Sequence, residues 1–157
     1  MGKRARILVV DDDESIRKVL VTILEDEGCI VDTAENGEEA IKKTETNFYN
    51  LALVDIRLPD MEGTTLLTKM KDTTPKMRKV IMTGYPSLEN AVEALNKGAH
   101  NYLVKPLNIE KVVTMVKKQL KIQKEEKKYA QGKVTEYIET RIRQLEEDKP
   151  VIHKRKN

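Results

Sequence analysis

Residues 51–63 read LALVDIRLPDMEG. Four consecutive apolar residues, Leu51 to Val54, run straight into Asp55. A short stretch that is apolar at every position predicts a strand buried on both faces, the kind found in a parallel sheet covered by helices. Pro59 and Gly63 then mark a loop. Beyond them, Leu66, Leu67 and Met70 return at helical spacing. The stretch therefore predicts a strand, a loop and a helix, with a carboxylate where the strand ends.

The same unit recurs in both directions. Ile7 to Val10 is apolar throughout and ends in Asp11-Asp12-Asp13. Ile16, Val19, Leu20, Ile23 and Leu24 follow at helical spacing until Gly28 stops them. A short strand is predicted around Ile30-Val31, then a turn at Asn36-Gly37 and a helix near 38–45. Val80 to Met82 predicts a strand ending at Thr83. Gly84 and Pro86 form a loop, Ser87 is a candidate N-cap, and Leu88, Ala91, Val92 and Leu95 give a stripe up to Gly98. Tyr102 to Val104 predicts the last strand, ending at Lys105-Pro106. After Asn108 a helix carries Ile109, Val112, Val113, Val116 and Leu120 on one face. Five strand–helix units imply an α/β fold with right-handed crossovers. In such folds the chemistry gathers at the carboxyl ends of the strands.

Composition limits the alternatives. With 39% hydrophobic residues the chain has enough apolar mass for one compact domain, and with 4% aromatics and no Trp its core must be aliphatic. The single Cys29 cannot form an internal disulfide, and is expected to be a free, partly buried thiol without catalytic work. Together with the lack of a recognisable signal peptide, this favours a cytoplasmic location. No apolar run approaches the ~20 residues needed to span a bilayer, so no membrane partner is expected. Residues 1–116 hold 16 basic and 19 acidic side chains, and residues 117–157 hold 13 and 7. This places a composition boundary near residue 120. The basic tail matches no recognised DNA-binding motif, so direct contact with nucleic acid is not expected.

The strand ends carry Asp11 to Asp13, Asp55, Thr83 and Lys105. Taken singly, each has a plain structural use: a helix cap, a turn residue, a surface lysine. Converging on one edge of one sheet, they fit phosphoryl chemistry. Carboxylates close together repel and need a cation. With no His or Cys nearby the ligands are all oxygen, which favours a hard divalent ion, Mg²⁺, or Mn²⁺ in its place. A carboxylate beside such an ion can act as a nucleophile toward phosphorus. Lys105 and the Thr83 hydroxyl would neutralise and hydrogen-bond the transferring oxygens.

The segments ILVVDDDE, LALVDIRLPDMEG, VIMTGY and NYLVKP resemble those of the response-regulator receiver family over roughly residues 5–121. The resemblance implies a doubly wound five-stranded parallel sheet of order 2-1-3-4-5. It implies that Asp55 is the phosphoacceptor, supplied by a sensor histidine kinase. It implies that Asp11 and Asp12 hold the metal with Asp55, the backbone carbonyl of Arg57 completing the protein ligands. Thr83 would swing toward the phosphoryl group, Tyr102 would turn inward with it, Lys105 would pair with the phosphate, and the bond to Pro106 would be cis. Asp13 is an extra acid whose expected job is capping the next helix. Arg57 and Tyr85 occupy positions that vary in the family and flank the phosphorylation site, so bulky side chains there are expected to slow loss of the phosphoryl group.

The expected output is a change in the face formed by the fourth helix, fifth strand and fifth helix, controlling dimerisation or docking of an unidentified downstream protein. The segment 82–107 most resembles receivers attached to ATPase-type transcriptional activators, yet no GxxxxGK[ST] loop follows. The chain is therefore expected to work as a phosphoryl-accepting regulator rather than an enzyme with a separate substrate. The alternative is a regulatory fragment of a larger transcriptional regulator. A phosphatase using Asp55 as a transient nucleophile is disfavoured because Arg57 stands where a second acid is needed.

The expected division is a receiver at 1–121, a helical extension at 122–148 and a disordered basic tail at 149–157. Ala130, Val134, Tyr137, Ile138, Ile142 and Leu145 keep helical spacing, and Gly132 is a candidate break, weaker than Ala by ~1 kcal/mol. Two uses of this stripe stay open: packing on the chain's own receiver, or pairing with a second chain.

Overall fold

The computed structural model describes residues 3–148, so the expected tail at 149–157 lies outside the described residues. The chain divides into two compact units, Met1–Gln123 and Lys124–Asn157.

The first unit alternates β1 (Arg6–Val10), α1 (Glu14–Asp26), β2 (Ile30–Ala34), α2 (Gly37–Thr46), β3 (Leu51–Asp55), α3 (Gly63–Lys69), β4 (Arg78–Thr83), α4 (Leu88–Asn96) and β5 (Asn101–Val104). Helix α5 (Ile109–Glu147) begins in this unit. The strands form one parallel sheet of order β2-β1-β3-β4-β5. Ile7 pairs with Leu51, and Asp55 with Met82, so the central strands end near one level.

Period-two alternation divides the core. Leu8, Val10, Ala52, Val54 and Ile81 face a cluster with α2, α3 and α4, supplied by Ala40, Leu66, Leu67 and Ala94. Ile7, Val9, Leu51, Leu53, Val80 and Met82 face Leu20 and Leu24 of α1 and Val112 and Val116 of α5. Both sheet faces are therefore covered, which is why the central strands are apolar at every position.

Caps fall where the sequence places them. Asp13 Oδ1 accepts from the backbone N–H groups of Ser15 and Ile16 at the start of α1, and Ser87 Oγ from that of Asn90 in α4. Asn36-Gly37 is more than a turn: Asn36 caps α2 through the backbone N–H of Glu39. Gly28 ends α1 with φ +89°, a conformation costly for a residue with a Cβ.

Two helices differ from the sequence pattern. In α4 the large residues of the stripe point outward: Leu88 is 83% exposed, Val92 47% and Leu95 52%, while Ala94 is buried against the sheet. In α5, Ile109 is exposed, and two glutamines, Gln119 and Gln123, are buried on the inner face. Gln119 accepts from Arg78 Nε at 2.9 Å. Gln123 donates to the carbonyls of Asn50 and Lys76 and accepts from the Asn50 side chain.

The described part of the second unit is helical. Helix α5 runs through Gly132 without interruption as far as Glu147, so the break considered at that glycine does not occur. Among the described residues no helix is long and apolar enough to cross a membrane.

Candidate functional site

β1, β3 and β4 deliver their last residues to one edge of the sheet. Asp11 follows β1 directly, and its backbone N–H donates to the carbonyl of Ala34. Its side chain is fully buried. Oδ1 accepts from the backbone N–H of Asp13, and the Arg17 guanidinium donates to the Asp11 carbonyl oxygen at 2.8 Å. Asp55 closes β3 and is 8% exposed, whereas Asp12 is open to solvent. One carboxylate oxygen from each of Asp11, Asp12 and Asp55 lies within 4.8 Å of the other two.

Lys105, just past β5, reaches across the sheet into this cluster. Its ammonium lies 2.8 Å from Asp11 Oδ2 and 3.3 Å from Asp55 Oδ2. Burial works against the ammonium charge, but the hydrogen bond to Asp11 and the two carboxylates outweigh it and raise the Lys105 pKa. Burial raises the pKa of Asp55, and the nearby Asp11 carboxylate adds to it. Lys105 and the backbone N–H of Arg57 oppose that rise. The Lys105–Pro106 peptide is cis.

The loop after β3 is tied at its neck and its tip. The backbone N–H of Gly63 donates to the Ile56 carbonyl at 2.7 Å, and that of Ile56 to the Met82 carbonyl. A Cβ on Gly63 would stand 2.2 Å from the Asp55 carbonyl oxygen, so only glycine lets α3 begin this close to the site. At the tip, the two Asp60 carboxylate oxygens accept from the backbone N–H groups of Gly37 and Glu38, each at 2.9 Å. These bonds hold the Asp60 pKa below the usual carboxylate range.

Thr83 is buried at the end of β4, its hydroxyl oxygen accepting from the backbone N–H of Tyr85 at 3.1 Å. The Arg57 guanidinium lies 5.5 Å from the centre of the Tyr85 ring, a cation–π contact. Tyr102 is 40% exposed. It shares with Thr83, Ile56, Ala91 and Ala94 a pocket of about 10 Å³, room for about one water.

The structure thus brings Asp11, Asp12, Asp55 and Lys105 together, and Arg57 with Tyr85. Thr83 and Tyr102 border a common pocket. Asp13 caps α1. Arg17 and Asp60 were not singled out from the sequence. Arg17 looks like any charged residue on a helix, and Asp60 was hidden between Pro59 and Gly63 as loop material.

The family model described as the response regulator receiver domain matches residues 7–117. This chain belongs to the response regulator receiver family. The receiver is 41% identical over 111 residues to the transcriptional regulatory protein ZraR of Klebsiella oxytoca, covering 71% of this chain and 25% of that protein. It is 39% identical over 116 residues to the DNA-binding transcriptional regulator NtrC of Escherichia coli (strain K12), covering 74% and 25%. The chain therefore spans about a quarter of the length of these relatives. A CheY-like response regulator receiver domain protein from Methanospirillum hungatei JF-1 superposes with a TM-score of 0.75 at 47% identity, over 79% of this chain and 99% of that one. The beryllofluoride-activated NtrC4 receiver domain dimer superposes with a TM-score of 0.70 at 36% identity, over 75% and 98%. This receiver is accordingly a module of two-component signalling and resembles the receivers of transcriptional regulators.

Proposed function

We propose that Asp55 is the phosphoacceptor of this receiver and takes its phosphoryl group from a sensor histidine kinase. The observation that carries this reading is the Lys105 ammonium held between the carboxylates of Asp11 and Asp55 at the carboxyl edge of the sheet. In the transfer, an Asp55 carboxylate oxygen forms the new O–P bond of an acyl phosphate. The P–N bond to the kinase histidine breaks, and its electron pair stays on the ring nitrogen. Lys105 neutralises charge on the phosphoryl oxygens, and the Thr83 hydroxyl donates to one of them.

The donor set fits a hard divalent cation. Three carboxylates face one ammonium, leaving negative charge in excess, and every nearby donor is oxygen. Asp11, Asp12, Asp55 and the backbone carbonyl of Arg57 would hold Mg²⁺, or Mn²⁺ in its place. When bound, such an ion neutralises developing charge on the phosphoryl oxygens. Phosphorylation then shifts a population. Thr83 leaves the Tyr85 N–H, and Tyr102 turns inward as the switch residue. The pocket beside it holds no phenol ring as it stands, so the start of α4 must move. The exposed face carrying Leu88, Val92, Leu95, Tyr102 and Val104 changes with it. That face docks a downstream protein or a second receiver. Self-dephosphorylation is slow, no separate substrate is turned over, and the setting is cytoplasmic. Residues 1–121 act as the receiver and 122–148 as a helical extension.

A second reading has this chain as the regulatory portion of a larger transcriptional regulator. The match to one quarter of ZraR and NtrC favours it.

The test is incubation with a small-molecule phosphodonor and Mg²⁺, read by intact mass. One phosphoryl group is expected on the wild type and none on Asp55→Asn. A wild type that stays unmodified, or an Asp55→Asn variant that is still modified, removes the proposal.

A further inference from the structure

The part of α5 in the second unit carries a stripe of exposed apolar residues. Val134, Tyr137, Ile138, Ile142 and Leu145 are 58%, 71%, 50%, 51% and 54% exposed. Their spacing of three or four residues puts them on one side of the helix. Helices in proteins draw most of their stability from packing an apolar face, and contiguous exposed apolar surface marks an interaction site.

The charges say what covers it. Residues 124–135 hold Lys124, Lys127, Lys128 and Lys133 against Glu125 and Glu126. Residues 136–148 hold Glu136, Glu139, Glu146, Glu147 and Asp148 against Arg141 and Arg143. The helix is thus basic toward its start and acidic toward its end. A parallel pair would set each block against its own copy, and like charges in apposition repel. An antiparallel pair sets each block against its complement.

We propose that residues 124–148 dock antiparallel on the same segment of a second copy of this chain. One register meets most of the demands of both charge and apolarity, while leaving Glu136 opposite Glu139 and Ile142 opposite Lys133. With Lys127 opposite Asp148 and Lys128 opposite Glu147, Ala130 falls opposite Leu145 and Tyr137 opposite Ile138. Val134 falls opposite Arg141, whose aliphatic stem lies along the seam while its guanidinium reaches water. The proposal stands apart from the phosphoacceptor reading and from the α4–β5–α5 face, and needs no phosphorylation.

The test is sedimentation equilibrium of the full chain without phosphodonor, at about 0.1 M salt, where charges still act over about 10 Å. A dimer of twice the 18.0 kDa chain mass is expected. Ile138→Asp with Ile142→Asp abolishes it. Lys127→Glu with Lys128→Glu weakens it about tenfold. Adding Glu147→Lys and Asp148→Lys to that variant restores it, which separates charge pairing from damage to the helix. Under mild oxidation, Ala130→Cys chains link to Leu145→Cys chains and neither links to itself. A monomer at every concentration overturns the proposal, as does a dimer in which Ala130→Cys links to itself. So does a dimer indifferent to Ile138→Asp/Ile142→Asp.

Discussion

At the scale of residues, the site works through opposed charges at short range. Asp11 is fully buried, and its neighbour Asp55 is nearly so, so the Lys105 ammonium at 2.8 and 3.3 Å sits where it offsets their repulsion. Asp55, Thr83 and Lys105 were legible in the sequence because each directly ends an apolar strand, and the fold rule says that such ends converge. Arg17 and Asp60 were not legible, since their roles are hydrogen bonds to the backbone of segments 6 and 22–23 residues away. Arg57 and Tyr85 were legible as flanking positions, but not their 5.5 Å contact with each other. On the proposal that Asp55 accepts the phosphoryl group, this pair of bulky side chains is expected to hinder approach of water. The Arg57→Ala/Tyr85→Ala double variant should lose its phosphoryl group about threefold to tenfold faster, the change for roughly 1 kcal/mol of barrier. The decay of phosphoprotein after removal of donor measures this, and equal rates in the two proteins would sink the idea.

At the scale of elements, helical periodicity located α4 and α5 and found the inward Val112 and Val116 of α5, but its stripe in α4 is the outer face. In α4 the small side chains Ala91 and Ala94 lie toward the sheet, and Leu88, Val92 and Leu95 face out. A nine-residue helix offers two stripes of similar spacing, and apolar size alone favours the outer one. In α5 the inner face ends in glutamines because the base of the sheet exposes polar groups there. These are the Arg78 guanidinium, the Lys76 carbonyl, and both the carbonyl and side chain of Asn50. Gln123 meets three of these hydrogen-bonding needs from one side chain. Gln123→Leu removes all three bonds, although the Asn50 carbonyl keeps the one it accepts from the Arg78 backbone N–H. The substitution should lower stability by about 1–3 kcal/mol, from lost hydrogen bonds of about 0.5–1.5 kcal/mol each. Urea denaturation checks this, with a shift in midpoint and an unchanged slope as the expected signature.

At the scale of the whole molecule, stability depends on groups far from the cluster of Asp11, Asp55 and Lys105. His100 follows α4 at the opposite edge of the sheet, and its Nδ1 accepts from the backbone N–H of Lys79. Burial, then the positive charges of Arg78, Lys76 and Lys79, push its pKa from 6.5 down to about 4. Between those values the unfolded chain takes up a proton at this position and the folded chain does not. Its contribution is therefore complete above pH about 6.5 and is lost as pH falls toward about 4. His100→Gln, which lacks the titration, should show a shallower fall in Tm between pH 7 and pH 5 than the wild type. Identical slopes for the two proteins would remove His100 from the pH response. Five strand–helix units, the parallel sheet and the strand-end residues Asp11, Asp12, Asp55, Thr83 and Lys105 were determined by the sequence alone. Apolar runs and the residues that stop them are local features. Tertiary structure alone decided which face of α4 is buried, that Gln123 anchors α5, and that Asp60 caps α2. In each case the deciding partner comes from elsewhere in the chain, and only folding brings it within reach of a hydrogen bond or a packing contact.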